Sequence, residues 1–558
     1  MNFPISRHFA TVGQRQVHYR RAGDGPAVFL LHQSPNSSTE YVPLIRRLAK
    51  NHTVFAPDTP GNGLSDPLPI EEPAMADFAD ALVTLFDELG IERAPVYGYH
   101  TGGLCALELA RRHPDRVVMT ITNGYLHMEP ADIDDILANY FAKLSVDWSG
   151  SHLTWIWSRM RAQYLFFPWF RTDLASRLEC DMPDPEYLHE RVMELLRAGD
   201  HYRAPYRAAF AFNAGEAVQQ ASAPAVVMTS KEDMLHAGMA RMPTPAPSVQ
   251  VHEPETHADS EDLLERLLRD NPGHRAPPVA ATRAIKERIR AEMIPVDGGY
   301  LYARRNTDAG GRPIVFQHAS TGSSFQCEPL MRRCIGRRPV VAIDLPGNGE
   351  SEALIENDEP LVERQAEFLA QAIRQLGYSK VDFFGEAGGG TVGIELAFRQ
   401  PDLVKHLAIQ NLIYLDDATR RVYLERFAPE IVIDGNGGHL IQAWNFVRDQ
   451  ELYAPWFEKK IRNVIRSREP DIEPEVVHQR TLDLLKCKDR YSAIFAAHFE
   501  YPVEQRLPGV WCPILLGNPS SRASQRAAAL GIPNCKVADL PSDDRDKLID
   551  AVLAFFAT

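Results

Sequence analysis

The chain has 558 residues, too many for one hydrophobic core and enough for two domains of ordinary size. Its 44% apolar and 24% charged residues are those of a globular protein, and a formal net charge of −14 argues against a general nucleic-acid or anionic-membrane partner. The seven cysteines (Cys105, Cys180, Cys327, Cys334, Cys487, Cys512 and Cys535) are scattered and form no C-x-x-C pair, so neither a disulfide framework nor a zinc ribbon is expected. The start is polar from Met1 to His8, and no stretch approaches the roughly 18–20 apolar residues of a membrane span. A cytoplasmic location with no membrane partner is expected.

The elements follow in order. A β-branched, apolar run at 28–31 leads into His32-Gln33-Ser34-Pro35, and a second at 53–56 leads into Asp58-Thr-Pro-Gly-Asn-Gly-Leu-Ser65. The stretch 75–89 has the 3.6-residue period of an amphipathic helix. The run 96–98 ends in Gly98-Tyr99-His100-Thr101-Gly102, followed by a helix-like segment at 104–110 and another strand at 117–122. An aromatic-rich helical insert is expected at about 128–215, then strands at 225–228 and 248–251 and a closing helix at 260–270. Short apolar runs alternating with longer amphipathic segments predict a mostly parallel sheet covered by helices.

The whole unit is then repeated. His32 and His318 open matching loops 286 residues apart, and Asp58-x-Pro-Gly-Asn-Gly-x-Ser65 returns as Asp344-x-Pro-Gly-Asn-Gly-x-Ser351 at the same offset. Gly98-Tyr-His-Thr-Gly102 meets Gly385-Glu-Ala-Gly-Gly389, and His152, Trp157 and Arg161 meet His439, Trp444 and Arg448, at an offset of 287. A near-constant offset over this length is a tandem duplication. The expected domains are 1–275 and 276–558, with the second helical insert at about 415–505, a linker at 271–281 and a charged helical piece at 283–293. Tandem copies often replace the subunits of a homodimer, so the two copies are expected to pack on each other; the sequence leaves further oligomerisation open.

Strand, tight turn and helix, with glycines on both flanks of the turn, form the setting of a nucleophile elbow. The central residue of such a turn is strained and exposed to a pocket, and here it is His100. Together these motifs resemble the α/β-hydrolase superfamily. The resemblance covers nearly the whole chain, once per half, and implies two tandem α/β-hydrolase domains, each with a helical cap. In the first copy it implies an acid just after strand 225–228, where Asp233 fits and Glu232 is a weaker candidate. It also implies a late histidine, His257, after strand 248–251. The backbone N–H groups of Thr101 and of the loop near Gln33 would hold an oxyanion.

The second copy departs from this pattern. Ala387 occupies the elbow, Ser520 falls at the acid position, and the late region reads Leu540-Pro-Ser-Asp-Asp. A catalytically silent copy is expected.

The first copy is therefore expected to be a cofactor-independent enzyme acting on a small organic carbonyl, ester or amide, with hydrolysis the leading reaction. His100 is the catalytic imidazole, His257 the general base or acid, and Asp233 its orienting carboxylate. His100 either attacks the acyl carbon or shares proton transfer with His257. A lyase, decarboxylase or cofactor-free oxygenase would use the same histidines for proton transfer alone. A ligand-binding pseudoenzyme would have both copies silent. Two imidazoles and a carboxylate also match a metal ligand set, though no local metal motif is present and no metal is assigned.

In the loop after His32, both His32 and Ser34 either line the pocket or brace the turn, and Asp58 reads as a turn-fixing residue whose side chain can also reach the pocket rim. On the insert, Trp157 and Arg161 share one helical face, with His152 earlier on the same helix; this set either suits an aromatic or carboxylated substrate or makes Trp157 cap core with Arg161 paired to an acidic neighbour.

Overall fold

The computed structural model of the chain describes residues 3–354, 359–466, 468–541 and 544–558. Met1 and Asn2 of the polar start, and Ser542 and Asp543 of the second copy's late region, lie outside the described residues. The first sheet contains β1 (Ser6–Val12), β2 (Arg15–Ala22), β3 (Ala27–Leu31), β4 (Thr53–Pro57), β5 (Ala94–Tyr99), β6 (Val117–Asn123), β7 (Ala225–Met228) and β8 (Val249–His252). Their spatial order is β1-β2-β4-β3-β5-β6-β7-β8. The pairs β1–β2 and β2–β4 are antiparallel and the others parallel.

The second copy repeats this with β9 (Arg290–Val296), β10 (Gly299–Asn306), β11 (Ile314–Gln317), β12 (Val340–Ile343), β13 (Val381–Glu386), β14 (Val404–Gln410), β15 (Ile514–Leu516) and β16 (Cys535–Val537), in the corresponding order. The architecture is two tandem, mostly parallel eight-stranded sheets flanked by helices. The expected helix at 283–293 is not formed. β9 begins at Arg290 and pairs antiparallel with β10 through an Asp297-Gly298 turn, in which Gly298 has φ 86°. An Asp-Gly pair between two short apolar runs is a hairpin signal, and it outweighs the charge pattern that suggested a helix.

Central strands buried on both faces carry continuous apolar runs, as in Ala27-Val-Phe-Leu-Leu31, all of which is buried. Phe29 stacks on Phe55 with centroids 4.9 Å apart and meets Phe86 of the Met75–Leu89 helix at 4.3 Å. Burial of one such ring stabilises the fold by about 1.5–3 kcal/mol. Between β6 and β7 lies the insert, with helices Pro130–Asn139, Ser151–Leu165, Pro185–Ala198 and Arg203–Ala211. Its counterpart in the second copy contains Asp417–Arg426, Gly438–Gln450, Pro474–Lys486 and Tyr491–Glu500.

The chain divides into two compact units: Met1–Ser145, His152–Arg283 and Ile433–Gly437 in the first, Val146–Ser151, Ala284–Val432 and Gly438–Thr558 in the second. Among the described residues, no helix is long and apolar enough to cross a membrane.

Candidate active site

β5 ends at Tyr99, and the helix Thr101–Arg112 starts two residues later, leaving His100 alone at the turn. Its backbone sits at φ 46°, ψ −111°, a region that side chains other than glycine rarely adopt. The flanking glycines are required sterically. A Cβ on Gly102 would lie 1.9 Å from the Leu31 carbonyl oxygen, and one on Gly98 would lie 2.1 Å from the Gly102 backbone. The turn is held by His100 N–H donating to the Asn123 carbonyl at 2.8 Å.

The strained backbone aims the imidazole along the ends of the strands towards Asp233, which follows β7. Nε2 of His100 lies 2.9 Å from Oδ2 and 3.2 Å from Oδ1 of Asp233. The carboxylate also accepts from the Tyr99 hydroxyl at 3.0 Å and from the Leu235 N–H at 2.8 Å. The Asp233 side chain is 1% exposed and that of His100 19% exposed. Burial opposes ionisation of Asp233. The adjacent His100 imidazole and the donated hydrogen bonds outweigh it and hold the carboxyl down at about 2. The same burial and the Asp233 charge push the Tyr99 hydroxyl well above its ordinary range, so Tyr99 stays a donor. The imidazole packs against Gly124, where a Cβ would come within 2.1 Å of its Cδ2.

This arrangement fixes the tautomer. An ionised carboxylate accepts Nε2–H, which leaves the lone pair on Nδ1. Among the described residues, Nδ1 of His100 has no hydrogen-bond partner, and it is not sealed from solvent. The ring therefore offers one free, basic nitrogen at the elbow.

His257 is placed elsewhere. It is the first residue of the helix His257–Asp270, with its backbone N–H capped by Glu232 at 2.9 Å and its Nδ1 3.1 Å from the Ser230 hydroxyl. It is exposed, and no hydrogen bond joins it to His100 or Asp233. The structure thus brings together two of the three residues read as a triad. Among the described residues, no group of three His, Cys, Asp or Glu side chains gathers where it could hold a metal ion.

In the loop after β3, His32 is fully buried and both ring nitrogens are engaged. Nδ1–H donates to the Gln33 carbonyl at 2.8 Å, while Nε2 accepts the Thr59 N–H at 2.9 Å. It braces one loop against the next. Asp58 likewise accepts from His18 and from the Ser38 and Leu64 N–H groups, each at 2.8 Å. Burial opposes its ionisation, but the His18 and His32 rings hold its carboxyl far below the ordinary range. Ser34 is buried and its N–H lies 3.4 Å from the Thr101 Oγ1; its own hydroxyl has no partner. Gln33 is half-buried. Thr101 is the first helical residue, so its N–H has no acceptor within the helix. Thr101, Gly102, Asp58, Met75 and Pro205 line a narrow, mostly apolar cavity that His100 does not reach.

On the Ser151–Leu165 helix, His152 and Trp157 are buried and Arg161 is half-buried. Two residues were not legible in the sequence. Tyr99 shares Asp233 with His100, and its position beside the elbow was the available signal. Glu40, half-buried near Tyr99, is bonded by Asn36 Nδ2 at 2.5 Å, and desolvation of its carboxyl raises its pKa.

The second elbow keeps the backbone and loses the chemistry. Ala387 sits at φ 48°, ψ −114° with no side-chain heteroatom. Gly388 stands in place of Thr101 and leaves room for His498, whose Nδ1 lies 2.7 Å from the Ser320 hydroxyl. That ring is buried, and burial pushes its pKa down to about 3. Ala225 pairs with Thr120 and Ile514 with its counterpart Leu407, so past the insert the copies are offset by two further residues and Asp233 matches Arg522, not Ser520, whose exposed hydroxyl donates to Asn518 Oδ1 at 2.8 Å.

The sequence profile of the α/β-hydrolase fold matches residues 26–173 and 312–452. An uncharacterized protein of Mycobacterium bovis is 34% identical over 124 residues, 22% of this chain and 36% of the relative; the match spans about a third of that protein. The 2-hydroxy-6-oxo-6-phenylhexa-2,4-dienoate hydrolase of Comamonas testosteroni is 33% identical over 112 residues, 19% of this chain and 39% of the relative. Among solved structures, the enol-lactonase from Burkholderia xenovorans LB400 aligns with 47% of this chain and 98% of its own, at 19% identity and a TM-score of 0.36.

Proposed function

The chain belongs to the α/β-hydrolase fold family, and on that premise we propose that its first copy hydrolyses a small organic substrate with an ester, amide or activated carbonyl group. The observation that supports this reading is the His100–Asp233 contact at 2.9 Å, which leaves Nδ1 free at the elbow. In this mechanism Nδ1 takes a proton from water as the water oxygen bonds to the carbonyl carbon. Asp233 stabilises the imidazolium that results. The C–O or C–N bond then breaks, and the proton passes from Nδ1 to the leaving group. The N–H groups of Thr101 and Gln33 hold the oxyanion. The second copy, with Ala387 at its elbow, contributes no reacting group.

The test is turnover by the wild-type chain, after chelator treatment, of a panel of p-nitrophenyl esters, lactones and anilides. Hydrolysis that survives chelation agrees with the proposal. A stoichiometric burst with a trapped acyl-imidazole would make His100 the nucleophile instead of the base. Absence of any hydrolysis would overturn the proposal and favour proton-transfer chemistry of the lyase or oxygenase kind.

A further inference from the structure

Arg159, on the Ser151–Leu165 helix, is 2% exposed. A buried guanidinium usually meets a carboxylate. This one meets aromatic rings: its Cζ lies 5.6, 5.4 and 5.5 Å from the ring centroids of Tyr140, Trp169 and Tyr202. Nη1 donates to Gln163 Oε1 at 2.9 Å and lies 3.5 Å from the Met160 sulfur. Nε and Nη2 are buried and have no hydrogen-bond partner.

These two orphaned nitrogens form one edge of the guanidinium. Their N–H bonds run parallel and match the spacing of two carboxylate oxygens, the side-on fork by which arginine grips a planar oxyanion. A buried donor pair left open is costly, so its retention calls for an occupant.

The second copy shows that packing does not require this cation. Position 159 corresponds to Phe446, which sits 4.9 Å from Trp456, 6.0 Å from Phe495 and 6.3 Å from Tyr491. Tyr140 and Tyr206, whose hydroxyls lie 3.2 Å apart in the first copy, correspond to Phe427 and Phe495. The second copy, with an alanine elbow, has a phenylalanine at the arginine position and keeps one tyrosine of the cluster, Tyr491. The copy with a histidine elbow carries the Arg159 cation and the hydroxyls of Tyr140, Tyr202 and Tyr206. Tyr206 also belongs to the Arg203–Ala211 helix, whose Pro205 lines the cavity beside Thr101.

We propose that the Nε–Nη2 edge of Arg159, in its cage of Tyr140, Trp169 and Tyr202, binds the carboxylate of the substrate. The site is closed in this structure, so entry requires the insert helices to part. The inference rests on the hydrolase reading only in calling the ligand a substrate.

The experiment measures thermal shift and calorimetric binding for acetate, hexanoate, benzoate, phenylacetate and succinate, each beside its uncharged amide. The proteins are wild type, Arg159→Met, Arg159→Phe and His100→Ala. At least one carboxylate is expected to stabilise the wild type saturably while its amide does not. Both Arg159 variants should bind it at least tenfold more weakly, with melting temperatures equal to or above wild type, whereas His100→Ala should bind as wild type. Arg159-dependent carboxylate binding by a wild-type chain that hydrolyses no member of the ester, lactone and anilide panel would sink the hydrolase reading and keep this one. Absence of binding by every carboxylate, binding indifferent to Arg159, or a sharply lowered melting temperature in both Arg159 variants would each overturn it.

Discussion

Tyr99 and His100, consecutive in the chain, stack with ring centroids 4.0 Å apart and reach the same oxygen of Asp233, at 3.0 and 2.9 Å. Neighbours in a strand point to opposite faces. Here the strand has ended, and the positive φ of His100 turns its ring back beside Tyr99. One carboxylate therefore orients two rings.

Asp233→Asn removes the charge that fixes the His100 tautomer. Turnover of the best panel substrate is expected to fall by about 10²-fold or more, the scale of a general acid–base contribution. Tyr99→Phe removes one hydrogen bond of about 1 kcal/mol and should cost only a few-fold. Steady-state kinetics of the two variants checks the ranking.

The pH dependence of stability has a definite sign. The folded Asp233 carboxyl lies near 2, below its ordinary value of 3.8, so its contribution is complete above about pH 4 and is lost as pH falls through about 2. The shift corresponds to about 2 kcal/mol. Urea unfolding from pH 6 to pH 3 should show a steeper acid decline in wild type than in Asp233→Asn.

Glu40 has the opposite sign. Burial raises its folded pKa, so the protonated form stabilises the fold at low pH, and that contribution is lost as pH rises through the folded value. Its Oε1 has no partner, and the corresponding residue of the second copy is Gln326. Glu40→Gln should raise the melting temperature at pH 8 and change it little at pH 4, as differential scanning calorimetry would show.

His257→Ala should leave kcat/KM within a few-fold of wild type, because its ring is exposed and bonded to Ser230 rather than to the dyad. A loss comparable to that of Asp233→Asn would restore the three-residue reading.

Much of this was legible in the chain. The constant offset between His32 and His318 gave the duplication, and the glycine-flanked His100 after a short apolar run gave the elbow. Asp233 could be placed because it follows the short buried strand β7. The late histidine was not, because nothing local tells whether His257 turns into a pocket or starts a helix. On the Ser151–Leu165 helix, Arg161 shares a face with Trp157, yet of the two arginines Arg159 is the buried one. Helical spacing groups residues on faces, while tertiary packing decides which face turns inward. The 283–293 stretch shows the same limit: its pairing with β10 is a contact that charge pattern does not encode.

The most direct test of the account is kcat/KM for His100→Ala against wild type on the best hydrolysed substrate, with melting temperatures measured alongside. Ala387 adopts almost the same backbone angles at the second elbow, so the alanine variant should fold with a melting temperature close to wild type. The account predicts a fall in kcat/KM of about 10³-fold or more in this folded variant. Retention of a tenth or more of wild-type activity, in a folded protein, would contradict it.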